Sequence, residues 1–147
     1  MLRVGVTELN IGFENREEAK KCCLEVMEEA SANGVELLVF PEMTLTGFTM
    51  RPWLYAESWD ADNIPDSVSF FMENSRKYKM KMAFGIFRAV MADSDKMDDE
   101  TKEPVYENRW CLWMEKKVVL DYAKIHPFSY SGEDKVYRQE KSLYRHR

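Results

Sequence analysis

Apolar residues along this chain follow two spacings, and the alternation between them outlines the fold. Residues 2–7, LRVGVT, form a short β-branched run that is nearly all apolar, the pattern of a strand covered on both faces. Asn15 can then cap a helix whose first turn holds Glu17 and Glu18. Ala19, Cys22, Cys23, Val26, Met27 and Ala30 follow at three- and four-residue spacings and form its inner stripe. Asn33-Gly34 ends the helix. The run VELLVFPE at 35–42 comes next as a second strand, stopped by Pro41, which cannot donate to a ladder. A strand, helix, strand unit normally crosses over so that its strands run parallel, so the chain opens as an α/β layered protein.

Beyond the second strand the pattern loosens. Thr44 to Asp62 contains Gly47, Pro52, Trp53, Tyr55 and Trp59 without a clean period, which predicts a long loop with at most a short helical turn. Ile64 to Lys79 reads as a second helix, with Pro65 in its first turn and Val68, Phe71, Met72 and Ser75 facing inward. KMAFGIFRAV at 81–90 is a third strand, and the acidic stretch DSDKMDDETKE after it is a solvated loop. VYENRWCLWM and VVLDYA then form a β-hairpin about Glu115-Lys116-Lys117.

Composition narrows the class. The chain has 147 residues, enough to bury a core without disulfides. Its net charge of −5 gives no basic field for a phosphate backbone, so nucleic acid is not an expected partner. No run approaches the length of a membrane span. Met1 leads straight into LRVGVTE without a signal-peptide pattern, and three cysteines form neither a disulfide framework nor a CxxC zinc pattern. A cytoplasmic location is expected.

Reactive residues of open α/β sheets gather just past the carboxyl ends of strands. Glu42 follows LLVFP and Lys124 follows VVLDYA, so both occupy such positions. A carboxylate at the mouth of an apolar strand is expected to be partly desolvated, which suits it to proton transfer, and a nearby ammonium stabilises a developing oxyanion. From spacing alone, both are also commonplace surface residues.

The wording around them is more specific. LLVFPEMTLTGF at 37–48 and YAKIHPFSYSGEDKVY at 122–137 resemble, in order and separation, the glutamate and lysine motifs of the nitrilase superfamily of carbon-nitrogen hydrolases. NRWCLWMEKKVVLDYAK is similar to the strand pair that leads into the family's lysine. The resemblance spans residues 2 to about 137 and implies the N-terminal half of a four-layer αββα sandwich. Residues 138–147 are a basic tail outside the pattern. It implies a Glu-Lys-Cys triad in which Glu42 is the general base, Lys124 steadies the tetrahedral oxyanion and Glu133 orients the lysine. Phe48 and Phe128 would wall the pocket. The substrate of the complete enzyme would be a small amide or nitrile, hydrolysed without metal or organic cofactor.

The third triad member is missing from this picture. The family's nucleophile lies in a C-Y-D-x-R-F-P-E type of motif beyond the lysine, and the chain reaches Arg147 first. Cys111 sits inside a strand before the lysine, and Cys22 and Cys23 lie in the first helix, one expected in the core and the other near the surface. None suits the nucleophile's role, so the chain reads as inactive and as a truncated or frame-shifted product; a natural basic tail is the alternative. The alternative function is a non-catalytic binding or assembly module: a half-sandwich would expose an apolar face, which predicts a homo-oligomer or association with a complementary chain.

Other features have plainer readings. His126 is expected to be a structural hydrogen-bonding residue of the KIHPF turn, and with only His146 besides it, no metal site is expected. Asp93, Asp95, Asp98, Asp99 and Glu100 lack calcium-loop spacing. The ten methionines read as core filler, and Trp53, Tyr55 and Trp59 either cover a pocket or pack under a loop.

Overall fold

A computed structural model describes residues 1–59, 63–91, 104–114 and 117–140. The acidic stretch at 93–103, the 115–116 part of the hairpin turn and residues 141–147, His146 among them, lie outside the described residues.

The opening unit forms as its sequence pattern predicts, with shorter strands. Strand β1 (Val4–Val6) and strand β2 (Leu37–Val39) pair in parallel around helix α1 (Arg16–Ala32). The Asn15 side chain caps α1 by accepting from the Glu18 backbone N–H at 3.3 Å, and Asn33 closes it by donating its backbone N–H to Glu29 and Ser31. Ala19, Cys23, Met27 and Ala30 are buried, whereas Cys22 and Val26 are only half-buried at the edge of the stripe.

The predicted long loop contains two short elements, helix α2 (Pro52–Tyr55) and strand β3 (Glu57–Ser58). Helix α3 (Asp66–Tyr78) starts after Pro65, which sits at the cap rather than inside the first turn, and stops at Lys79 with φ 52°. Its inner side buries Val68, Phe71 and Ser75, while Met72 is half-buried. Strand β4 (Lys81–Met91), strand β5 (Pro104–Met114) and strand β6 (Lys117–Ala123) complete one sheet of order β1-β2-β4-β5-β6, with β3 also paired to β4. β1, β2 and β4 run parallel, and β4, β5 and β6 antiparallel.

Strand periodicity gives this sheet two unlike faces. Leu38, Met82, Phe84, Ile86, Cys111 and Trp113 share one buried cluster with α1 and α3. Its centre is aromatic: Phe71 stacks on Phe84 with centroids 4.1 Å apart and meets Phe40 at 5.2 Å. Burying each ring stabilises by roughly 1.5–3 kcal/mol.

The opposite face carries Val4, Val6, Leu37, Val39, Leu112 and Leu120, as the register of β1, β2, β4, β5 and β6 dictates. Val6 is 80% exposed and Val4 48%. Strand β1 is therefore not covered on both faces, which corrects the reading of LRVGVT. Among the described residues no helix is long and apolar enough to cross a membrane.

Candidate active site

Two turns at the same end of the sheet carry the predicted residues. The first follows β2. Pro41 ends pairing, and Glu42 precedes Met43, a buried residue held at φ 46°. The sharp turn is fastened to β4: Thr44 donates its backbone N–H to the Gly85 carbonyl at 2.9 Å, and Gly85 donates to the Pro41 carbonyl at 3.2 Å and to Thr44 Oγ1 at 3.2 Å. A Cβ at position 85 would stand 2.4 Å from Glu42 Cα and 2.6 Å from Met43 N, so only glycine lets the strand approach this closely. Gly85 thereby sets where the Glu42 side chain starts.

The second turn follows β6. Lys124 continues the β5–β6 ladder, donating its backbone N–H to Asn108 at 2.8 Å. The chain then folds through two short 3₁₀ turns, Ser129–Ser131 and Glu133–Lys135, joined at Gly132 with φ 81°. Tyr137 ties this turn to the first, its buried hydroxyl donating to the Thr49 carbonyl at 2.7 Å while its ring packs with Met43 and Phe87. Glu14, almost fully buried, fastens the intervening loop through Thr49, Arg51 and Tyr55.

Glu42, Lys124 and Glu133 meet where the turns converge. Lys124 Nζ lies 3.0 Å from Glu42 Oε2 and 2.9 Å from Glu133 Oε2. Glu133 is completely buried, yet well supplied with donors. Besides the ammonium it accepts from the Phe128 backbone N–H at 2.5 Å and from Asn108 Nδ2 at 2.9 Å. Burial alone would raise its pKa, but these three donors outweigh burial and hold its carboxyl below the usual carboxylate value. For Lys124, burial pulls the pKa down, and the hydrogen bonds and charges of Glu133 and Glu42 outweigh it, so the ammonium is held above the ordinary lysine value. Glu42 is not the desolvated group expected from its place after an apolar strand, since its side chain keeps 47% exposure. It is the accessible member of the set.

The two predicted phenylalanines differ. Phe48 is half-buried, with the Lys124 ammonium 5.7 Å from its ring centroid. The Phe128 ring is 55% exposed beside Tyr130, and the connection of this residue to the site is its backbone N–H. His126 is exposed and makes no hydrogen bond among the described residues, so it is not the turn's tether. Asn108 was not singled out from the sequence, although it touches both carboxylates. Its signal was the polar run Glu107-Asn108-Arg109 inside an otherwise apolar strand.

The cysteines lie elsewhere. All three are free thiols. Cys111 is buried on the helix side of the sheet, and burial, reinforced by Asp121, pushes its thiol up. Cys23 is buried in α1, and burial, with Cys22 alongside, pushes its thiol up to about 12. Cys22 is half-buried and donates to the Asn10 carbonyl at 3.7 Å. Trp59 packs against the main core, Tyr55 against the Met43 cluster, and Trp53 is exposed.

The carbon-nitrogen hydrolase family model matches residues 3–146, nearly the whole sequence. The chain belongs to the carbon-nitrogen hydrolase family. Solved structures of several proteins share its fold at low identity. An amidase from Nesterenkonia sp. AN1, a double mutant in complex with acrylamide, is 12% identical with a TM-score of 0.72, over 96% of this chain and 49% of that one. A CN-hydrolase superfamily protein from Xanthomonas campestris is 14% identical, TM-score 0.70, over 96% and 47%. A glutamine-dependent NAD(+) synthetase from Cytophaga hutchinsonii is 19% identical, TM-score 0.67, over 94% and 22%. The chain thus spans about half the length of the first two and less of the third. No curated relative matches.

Proposed function

We propose that this chain carries the acid–base half of a carbon-nitrogen hydrolase site for a small linear amide or nitrile, and that it is inactive alone. The supporting observation is the Lys124 ammonium held between an exposed carboxylate, Glu42, and a buried one, Glu133. In this reading Glu42 takes the proton of a cysteine thiol, which attacks the substrate carbon. With an amide, Glu42 passes that proton to the leaving nitrogen, the C–N bond breaks and a thioester remains, and Glu42 then activates the water that hydrolyses it. Lys124 stabilises the negative oxygen of the tetrahedral intermediate, and Glu133 keeps Lys124 charged and aimed. The Phe48 ring borders the ammonium, and Phe128 serves the site through its backbone N–H to Glu133.

The positions of the thiols support the inactivity in this reading. Cys23 and Cys111 are buried on the far side of the sheet, and Cys22 belongs to the helix layer, so none is offered to Glu42. Ammonia release from a panel of short ω-amides and nitriles is expected at the buffer rate. A rate well above buffer, abolished by Glu42→Gln, would overturn this part of the proposal. Free cysteines agree with a reducing, cytoplasmic setting.

A second reading is favoured by the open sheet face around Val4, Val6 and Leu120, which is a candidate surface for a complementary chain or a second copy. Light scattering is expected to show an assembly larger than the monomer; a folded, aggregation-free monomer would count against it.

A further inference from the structure

We infer that Asn108 is a positioning residue of this site: its single amide nitrogen holds Glu42 and Glu133 together about Lys124 and turns Glu42 so that Oε1 is the oxygen presented for proton transfer. The inference deepens the proposed function and rests on it.

The donor geometry supports the assignment. Asn108 Nδ2 lies 3.0 Å from Glu42 Oε2 and 2.9 Å from Glu133 Oε1. Both partners are carboxylate oxygens, which when ionised accept and never donate, so the NH₂ end of the amide has to face them. Lys124 Nζ donates to the same Glu42 Oε2 at 3.0 Å. Two donors therefore converge on Oε2, while Oε1 receives none among the described residues. A carboxylate so held has one oxygen occupied and one oxygen available.

Electrostatics explain why an amide stands here. Two carboxylates share one ammonium, and the positive ends of two N–H dipoles between them offset their repulsion without adding charge. Aspartate at 108 would add a third carboxylate, and leucine of similar size would offer no donor. Asn108 is 4% exposed, so its polar group is costly to bury unless hydrogen-bonded, and both amide hydrogens are spent on the two glutamates. Its backbone carbonyl also accepts the Lys124 N–H, which places the lysine and the amide on the same face of the ladder.

The test uses the full chain, with ¹³C-carboxyl-labelled glutamate and ¹³C-methylated lysines followed by NMR. In Asn108→Ala the Glu133 midpoint is expected to rise by about one pH unit, the size of one lost hydrogen bond to a charged group. Glu42→Gln is expected to lower the Lys124 midpoint in the native background, and by less than half as much in the Asn108→Ala background. A residue that only supports the fold would not weaken that coupling in a folded chain. An unmoved Glu133 midpoint together with equal Lys124 shifts in both backgrounds would overturn the inference. Glu42→Gln leaving Lys124 unmoved in the native background would instead overturn the Glu42–Lys124 unit itself. Should Asn108→Ala fail to fold, Asn108→Ser, which keeps one donor, is expected to give intermediate shifts, and native values for it would equally overturn the inference.

Discussion

Neighbouring residues on β5 open onto two charged clusters of opposite design. Glu107 faces the helix side, where it pairs with Arg109 at 2.5 Å, with Arg88 at 3.4 Å and with Arg138, while Arg109 also holds Asp121 at 2.5 Å. Asn108 faces the other side and joins Glu42, Lys124 and Glu133. In the first cluster Arg88, Glu107 and Arg109 are buried, and Arg138 clamps the segment after Tyr137 onto β5 through its own backbone N–H to Tyr106. Arg138, assigned from the sequence to the tail, is part of this clamp. The second cluster keeps one carboxylate half in water. A closed network can hold strands and turns in register, but it has no group free to exchange a proton; an accessible carboxylate beside a fixed ammonium does.

The sharpest way to break this contrast is to remove one acid from each cluster and compare stabilities. Glu107→Ala removes the fully buried carboxylate that Arg88 and Arg109 share and is expected to cost about 3–5 kcal/mol in urea unfolding. Glu42→Ala, at an exposed pair, is expected to cost less than about 1 kcal/mol. Equal losses would erase the distinction between structural and chemical clusters. Glu133→Gln falls between them, at about 1–3 kcal/mol, because the amide can still accept the Phe128 N–H but no longer matches two other donors.

Acid should sharpen the same comparison. Burial raises Glu107, and the hydrogen bonds and charges of Arg138 and Arg109 outweigh it; Glu133 is held low in the corresponding way. A carboxyl held below its unfolded value of about 4.5 contributes fully above that pH and loses its contribution as the pH falls through the folded value. The urea midpoint is therefore expected to be flat near neutrality and to fall below about pH 4.5, with a shallower fall in Glu133→Gln. The smallest effect belongs to Phe128→Ala. Its exposed ring contributes little and alanine keeps the backbone N–H to Glu133, so the stability change should stay within about 0.5 kcal/mol.

Much of this was legible from residues alone, for identifiable reasons. Asn15, the α1 stripe and Pro41 act locally, so capping and periodicity located the opening unit. Glu42 and Lys124 stood out because each directly follows an apolar strand in a distinctive run. Asn108 did not, since its role depends on two turns 66 and 25 residues away that only the fold brings together. Periodicity could not tell that β1 is bare on one side, because an apolar run looks the same whether or not a second layer covers it. The elements at Pro52–Tyr55 and Glu57–Ser58 are too short to carry a period and owe their form to β4 and the Glu14 anchor.

The most direct test is the titration of Lys124 in the intact chain, read from its ¹³C-methyl signal and assigned with Lys124→Arg. Two carboxylates holding the ammonium predict a midpoint above the ordinary 10.5, falling in Glu42→Gln and again in Glu133→Gln. The stabilisation from this charge is complete below the ordinary value and is lost as the pH rises through the raised one. A native midpoint at or below 10.5, unmoved by either substitution, would contradict the preassembled charge unit.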